Sequence, residues 1–353
     1  MRAAAYVAVS AVLLLALAGC NRDAESPGTP QQRIEAALDP CAEGSGAFEQ
    51  KLCQNQTLAG IDGEIRQALV AEAANVSEAG AQMLVQNQQR WRDAQRVECG
   101  IIDPDAAPTA EQQTCLEEGF RARVAEAQNS VQEVGGYTFQ RMELVGATPV
   151  TAEVASASGL GDEAPAAITR DIRFPRIDGE QTPEVQRFNE LVAQQPQFGL
   201  EDATNEVVDY QIAYAGPEVI SVRFDMSDDT LGAAHPNNST KAVTVLMREG
   251  RALTESDVFR SGTNWQDFVT RRAVADITRQ FSDYNFVPPE RDVRESATKP
   301  HLWLVTPEAL VILFPPYSFG GPYALGGAEV RISWADLRQY LNPNAPAPIR
   351  VAA

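Results

Sequence analysis

Val208-Asp209-Tyr210-Gln211-Ile212-Ala213-Tyr214-Ala215-Gly216-Pro217-Glu218-Val219-Ile220-Ser221-Val222-Arg223-Phe224-Asp225-Met226 is the stretch that decides the fold. Val208, Tyr210, Ile212 and Tyr214 recur at every second position, and Ile220, Val222, Phe224 and Met226 do the same. A strand with one buried face has this period. Ala215-Gly216-Pro217 joins the runs with turn residues, so the stretch predicts a β-hairpin. Downstream, Val243, Val245 and Met247 predict another strand before the Glu249-Gly250 turn. Trp265, Phe268, Arg272, Ile277 and Phe281 suit a longer helix. Strands are expected again at 302–305, 310–314 and 329–334, then a short helix through Leu337 and Leu341. Upstream, residues 172–177 read as extended, and Thr182-Pro183 opens a helix carrying Val185, Phe188, Leu191 and Val192. Residues 168–343 therefore predict an α+β domain with helices packed on a mainly antiparallel sheet, followed by a tail over 344–353.

The residues before this domain have another character. From Thr138 to Ala167 the chain is rich in Ala, Ser, Gly, Thr and Pro, which predicts a linker over 136–167 holding at most one short strand. Gly159-x-Gly161-x-x-Ala164 imitates a nucleotide-binding fingerprint, but no strand precedes it and Pro165 follows, so it is set aside. Leu58, Ile61, Ile65 and Leu69 fall on one helix face, and Leu84, Trp91 and Ala94 mark a second helix. Leu116, Phe120, Val124, Ala127 and Val131 mark a third, opened by Pro108 and a capping box of Thr109 with Gln112. The expected fold class is thus α+β in two domains, a small disulfide-bonded three-helix domain over 40–135 preceding the sheet domain.

Residues 1–19 read as a lipoprotein signal peptide: Arg2, an apolar run from Ala3 to Leu17, then Leu17-Ala18-Gly19-Cys20. The run is too short to span a bilayer core of ~30 Å with margin. Cys20 is the expected lipidation site, and 20–39 the lipidated cysteine with a flexible tether. A lipid anchor is then the expected contact with the membrane, and the expected location is the cell envelope, on the outer membrane facing the periplasm. Cys41, Cys53, Cys99 and Cys115 remain, an even count that reads as two disulfides in an exported protein. Cys41–Cys53 with Cys99–Cys115 closes two short loops. A crossed Cys53–Cys99 pairing is the alternative, because antiparallel helices would bring those ends together.

The chain has 353 residues, of which 48 are acidic and 29 basic, a formal charge of −19. Nucleic acid and anionic lipid surfaces need basic protein surface, so both are excluded as partners. A basic partner is favoured. His235 and His301 are the two histidines, which excludes a histidine cluster. No Gly-x-Ser-x-Gly elbow, His-Glu-x-x-His zinc motif or phosphate loop occurs, so the expectation is a binding protein without catalysis or cofactor. Acid is concentrated between Glu190 and Asp229, with Arg223 as the base beyond Glu190, and between Glu98 and Glu118, where there is none.

Two resemblances join these readings. Cys41, Cys53 with Leu58 and Asp62, then Gln88-x-x-Trp91, Cys99, Cys115-Leu116 and Arg123 resemble the LprI-type lysozyme-inhibitor family over about residues 40–130. Phe174-Pro175 with Gly179, Gly232-Ala233-Ala234-His235-Pro236, Gly250-Arg251-Ala252-Leu253 and Asp257-Val258-Phe259 form the first part of a second pattern. Phe314-Pro315-Pro316-Tyr317, Gly320, Tyr323-Ala324 and Val330-x-Ile332 complete it. This pattern resembles the extracytoplasmic domain of lysozyme-sensing anti-sigma factors of the RsiV type, over about residues 168–342. Both resemblances imply lysozyme as the partner, and inhibition of it as the function. An envelope scaffold that binds peptidoglycan or a protein neighbour is the alternative. The expected contact residues are Asp228, Asp229 and His235 around the Gly232–Pro236 loop, with Tyr317, Phe319 and Tyr323 as aromatic anchors on the second loop.

Overall fold

The computed structural model describes residues 28–194 and 203–352. The expected signal peptide, Cys20 and the acidic pair Glu201 and Asp202 lie outside the described residues. The helical part runs α1 (Pro30–Leu38), α2 (Ala47–Gln54), α3 (Gln56–Glu72), α4 (Glu78–Glu98) and α5 (Ala110–Ala127). Strands β1 (Val131–Val134) and β2 (Tyr137–Pro149) follow, then α6 (Ala152–Ala157), β3 (Ala167–Ile177) and α7 (Pro183–Ala193). Next come β4 (Thr204–Ala215), β5 (Val219–Thr230), β6 (Asn237–Leu246), β7 (Arg251–Ala252), α8 (Glu255–Val258), α9 (Trp265–Gln280) and α10 (Glu290–Ala297). The chain closes with β8 (Trp303–Val305), β9 (Ala309–Phe314), β10 (Ala328–Ser333), α11 (Trp334–Leu337) and α12 (Ile349–Ala352).

Strands β1 to β7 form one sheet in sequence order. Every pairing is antiparallel except β3 with β4. Parallel neighbours need a crossover rather than a tight turn, and α7 lies in that connection. Its start is fixed as expected: Thr182 accepts from the Val185 amide and Pro183 occupies the first helical position. The hairpin of β4 and β5 lies where alternation placed it, with Tyr210 opposite Phe224 and Ile212 opposite Val222. A second sheet, ordered β10-β9-β8, packs against the first. The seam is stitched by polar bonds: the Ser221 hydroxyl accepts from the Val305 amide at 3.0 Å, and Thr244 donates to the Trp303 carbonyl at 3.1 Å. Fold class is therefore mixed α+β with a large, mainly antiparallel sheet. Trp265, Val269, Trp303, Ile312, Phe314, Val330 and Trp334 belong to the largest core cluster, between α9 and the second sheet.

Cys41 bonds to Cys53 and Cys99 to Cys115, the local pairing of the two that were open. Four expectations change. The tether does not extend to residue 39, because α1 begins at Pro30 under a capping box of Thr29 with Gln32 and buries Ile34 and Leu38. One pair of apolar residues four apart is too little periodicity to reveal a helix. The helical part holds α1 to α5 rather than three helices. The last of these ends at Ala127, and Val131 is the first residue of β1. Residues 137–149 are not linker but strand β2, paired along its length with β3.

The fourth difference has a clear physical cause. The face of β2 turned to the helices carries Arg141 and Glu143, which are buried. Arg123 on α5 donates to both Glu143 oxygens, at 3.1 and 2.7 Å, and Arg141 donates to Glu143 at 2.7 Å. Asn87 on α4 donates to the Arg141 carbonyl at 2.8 Å, and Gln140 to the Gly80 carbonyl at 2.7 Å. Helices and sheet thus meet across an ionic seam, where alternation of apolar residues has nothing to read. Among the described residues no helix is long and apolar enough to cross a membrane.

Candidate protein-binding surface

The β5–β6 hairpin turns at 231–236. Gly232 sits there at φ +81°, and a Cβ on it would lie 2.2 Å from the Ser158 carbonyl oxygen, beyond the end of α6. The position therefore requires glycine twice over, for its backbone and for its space. Asp228 and Asp229 are not in the loop but in the last residues of β5, opposite Glu206 and Asn205 of β4. Asp228 is half-buried and Asp229 exposed, and neither has an ion-pair partner among the described residues. Glu206, by contrast, is neutralised by Arg170 at 2.6 Å.

The second loop leaves β9 at Phe314. Ser318 holds the turn by donating its amide, at 3.1 Å, and its hydroxyl, at 2.7 Å, to the Pro315 carbonyl. Gly320 donates to the Tyr317 carbonyl at 3.0 Å. Tyr317 is exposed and has φ +66°, a left-handed backbone that costs a bulky residue energy. Such strain persists only where the surroundings enforce it, and it gathers at functional positions.

The two loops meet. The His235 and Tyr323 rings stack with centroids 4.0 Å apart at an interplanar angle of 13°. Tyr323 donates its hydroxyl to the Pro236 carbonyl at 2.6 Å and accepts from Asn238 at 2.7 Å. The Tyr317 and Tyr323 rings lie 5.6 Å apart. Residues far apart in the sequence thus make one aromatic cluster, with Asp228 and Asp229 at the end of the adjoining strand. Asn238 holds this arrangement and Ser158 abuts Gly232 beside it, and both were missed by sequence reasoning. Asn238 carried a signal, because it lies in the Asn-rich run directly after the loop.

Phe319 is a correction. It is fully buried, stacked on Phe281 at 5.6 Å and edge-on to Phe286 and Phe314. The loop turns it inward, so it supports the surface from beneath and cannot touch a partner. The acidic stretches also read differently once folded. Arg187, Arg170 and Arg350 come from outside the 190–229 stretch to pair Glu190, Glu206 and Glu218. In the other stretch Glu117 pairs with Arg121, while burial, reinforced by the charge of Asp171, pushes the Glu98 carboxyl up. Among the described residues no group of three or more His, Cys, Asp or Glu side chains is placed to hold a metal ion.

Comparison with known proteins finds a family match for one part of this surface. Residues 256–335 match DUF3298, a protein family of unknown function. The DUF3298 match takes in Tyr317, Phe319 and Tyr323 and leaves out His235 and the hairpin that carries it. Two crystal structures of DUF3298 proteins are similar to the chain. One, from Bacteroides fragilis, is 14% identical over 60% of this chain and 96% of its own, with a TM-score of 0.39. The other, from Pseudomonas aeruginosa, is 12% identical over 59% of this chain and 96% of its own, with a TM-score of 0.43. No curated protein matches the chain.

Proposed function

We propose that the chain is a lipid-anchored envelope protein that binds lysozyme and restrains it, protecting peptidoglycan, with no catalysis of its own. The observation that carries this reading is the cluster of His235, Tyr317 and Tyr323, joined from two loops and flanked by Asp228 and Asp229. Rigid aromatic anchors beside unpaired carboxylates suit a basic protein surface. The net charge of −19 and the resemblances of residues 40–130 and 168–342 to lysozyme-binding families support the same partner. Cys20 supplies the anchor in this reading, and intact mass of membrane-extracted protein should show it acylated.

Residues 21–353 in purified form should slow lysozyme lysis of a peptidoglycan suspension, saturably and at a fixed stoichiometry. Release of muropeptides or acetate from peptidoglycan by the protein alone would make it an enzyme instead. Pelleting with sacculi that lysozyme neither competes with nor enhances would make it a scaffold.

A further inference from the structure

Tyr284, Val287 and Tyr317 are the three most exposed large apolar side chains among the described residues, at 70%, 66% and 54%. All three lie on two loops that abut. The first loop runs from the end of α9 to Pro289, the second from Pro315 to Pro322. Phe286 of the first packs edge-on against Phe319 of the second at 5.9 Å, and Phe281 stacks on Phe319. Glycines of the second loop also lie against side chains of the first and of α10: a Cβ on Gly320 would lie 2.7 Å from the Asp292 carboxylate and 2.8 Å from the Pro289 ring, and one on Gly321 would lie 3.4 Å from the Phe286 ring. Asn285, at φ +49°, and Tyr317 are the two non-glycine residues with left-handed backbones among those described, one in each loop. Asn tolerates that region, so the backbone cost falls on Tyr317 in the second loop, and the shared aromatic stack fixes both loops while leaving apolar side chains in water. A surface of this kind is preorganised for a partner, because the ordering cost has already been met in the free protein.

We propose that the Tyr284–Val287 turn is a second contact on the partner that Tyr317 meets, so that the two loops form one apolar ridge for a basic protein. The inference rests on the lysozyme-binding reading and extends it to a segment outside the motifs read from the sequence. Charge favours this occupant over a second copy of the acidic chain. Asp283 and Asp292 flank the turn without ion-pair partners among the described residues, and Asp228, at the end of β5, pairs in register with Asn237, two residues after His235. Between Asp283 and Asp292 the chain carries Glu290 and one base, Arg291. Apolar contact at the centre with charge at the rim is the usual layout of a protein interface.

The test uses the full mature chain on a sensor surface and a strongly basic lysozyme as the probe. Tyr284→Ala combined with Val287→Ser removes exposed side chains, so the melting temperature should be unchanged. The dissociation constant should rise at least tenfold, mainly through a faster off-rate. Tyr284→Phe keeps the ring and should bind as the unaltered chain does. An effect below twofold in the folded double variant, with Tyr317→Ala weakening binding as expected, overturns the second contact and leaves the lysozyme reading standing. No binding by the unaltered chain overturns the reading and this inference together.

Discussion

Arg123 on α5 donates its Nη2 to Glu143 Oε2 on β2 at 2.7 Å, with both side chains almost wholly out of water. The pair is the centre of the seam between helices and sheet. Removing Arg123 leaves the buried Glu143 with Arg141 as its remaining partner, an under-compensated charge whose penalty exceeds the net worth of the lost pair. Arg123→Met should therefore cost about 3 kcal/mol in urea unfolding. A double-mutant cycle with Glu143→Leu should show the two losses to be far from additive. Additive losses would mean that the two side chains do not act together.

Acid should weaken the same seam. Burial pushes the Glu143 carboxyl up, but Arg123 and Arg141 more than reverse this and hold it at about 2, against an ordinary 4.5. A depressed folded pKa means that the unfolded chain takes up the proton first. The stabilisation is complete above pH 4.5 and is lost as pH falls toward 2. Urea midpoints of the wild type and Glu143→Gln should differ most near neutral pH and converge across that window. A gap that stays constant down to pH 2 would refute the assignment.

Gly232→Ala meets the Ser158 carbonyl and a left-handed backbone together. We expect a loss of about 1–3 kcal/mol, read as a lower melting temperature, and weakened partner binding as the loop shifts. Ala233→Gly, one residue on, should leave binding nearly unchanged. Equal stability of Gly232→Ala and wild type would contradict the close approach.

Tyr317 separates strain from recognition. Tyr317→Ala keeps the Cβ in the left-handed region, whereas Tyr317→Gly relieves it. The glycine variant should be the more stable of the two by about 1 kcal/mol. Both should lose binding at least tenfold through the off-rate, because both lack the ring. If the alanine variant proves the more stable, the backbone at 317 is not strained.

Asp228 and Asp229 should act on encounter rather than on residence. Asp228→Asn with Asp229→Asn is expected to slow the on-rate severalfold at low ionic strength. The deficit should shrink toward nothing at about 1 M salt, where the Debye length is ~3 Å. A salt-independent loss confined to the off-rate would place these carboxylates inside the contact instead.

Legibility in the sequence followed the distribution of apolar side chains. The β4–β5 hairpin announced itself because Tyr210, Phe224, Val208 and Met226 face one core, and α7 because Thr182 and Pro183 mark its start. Strand β2 was invisible for the opposite reason: its helix-facing positions are Arg141 and Glu143, satisfied by partners that only folding supplies. The loop residues His235, Tyr317 and Tyr323 were legible as a set, and their contact was not, since stacking between positions so far apart has no local signature. Phe319 misled because a loop aromatic between Ser318 and Gly320 gives no sign of which way it turns. Counting acids along the chain overstated the charge of the 190–229 stretch, whose carboxylates meet arginines from α7, β3 and α12.

The two cystines join each cysteine to the next one in the chain, at separations of 12 and 16 residues. A polypeptide delivered N-terminus first to an oxidising compartment would present Cys41 and Cys53 well before Cys99 exists as a competitor. With Cys20 acylated, as in the proposed reading, Cys99 would then appear when its remaining free partner is Cys115. Order of arrival alone therefore selects the native set, and neither thiol exchange nor an isomerase is needed to correct it. In such a compartment, oxidative maturation would keep pace with delivery, with the helical part cross-linked before the first strand of the sheet had appeared.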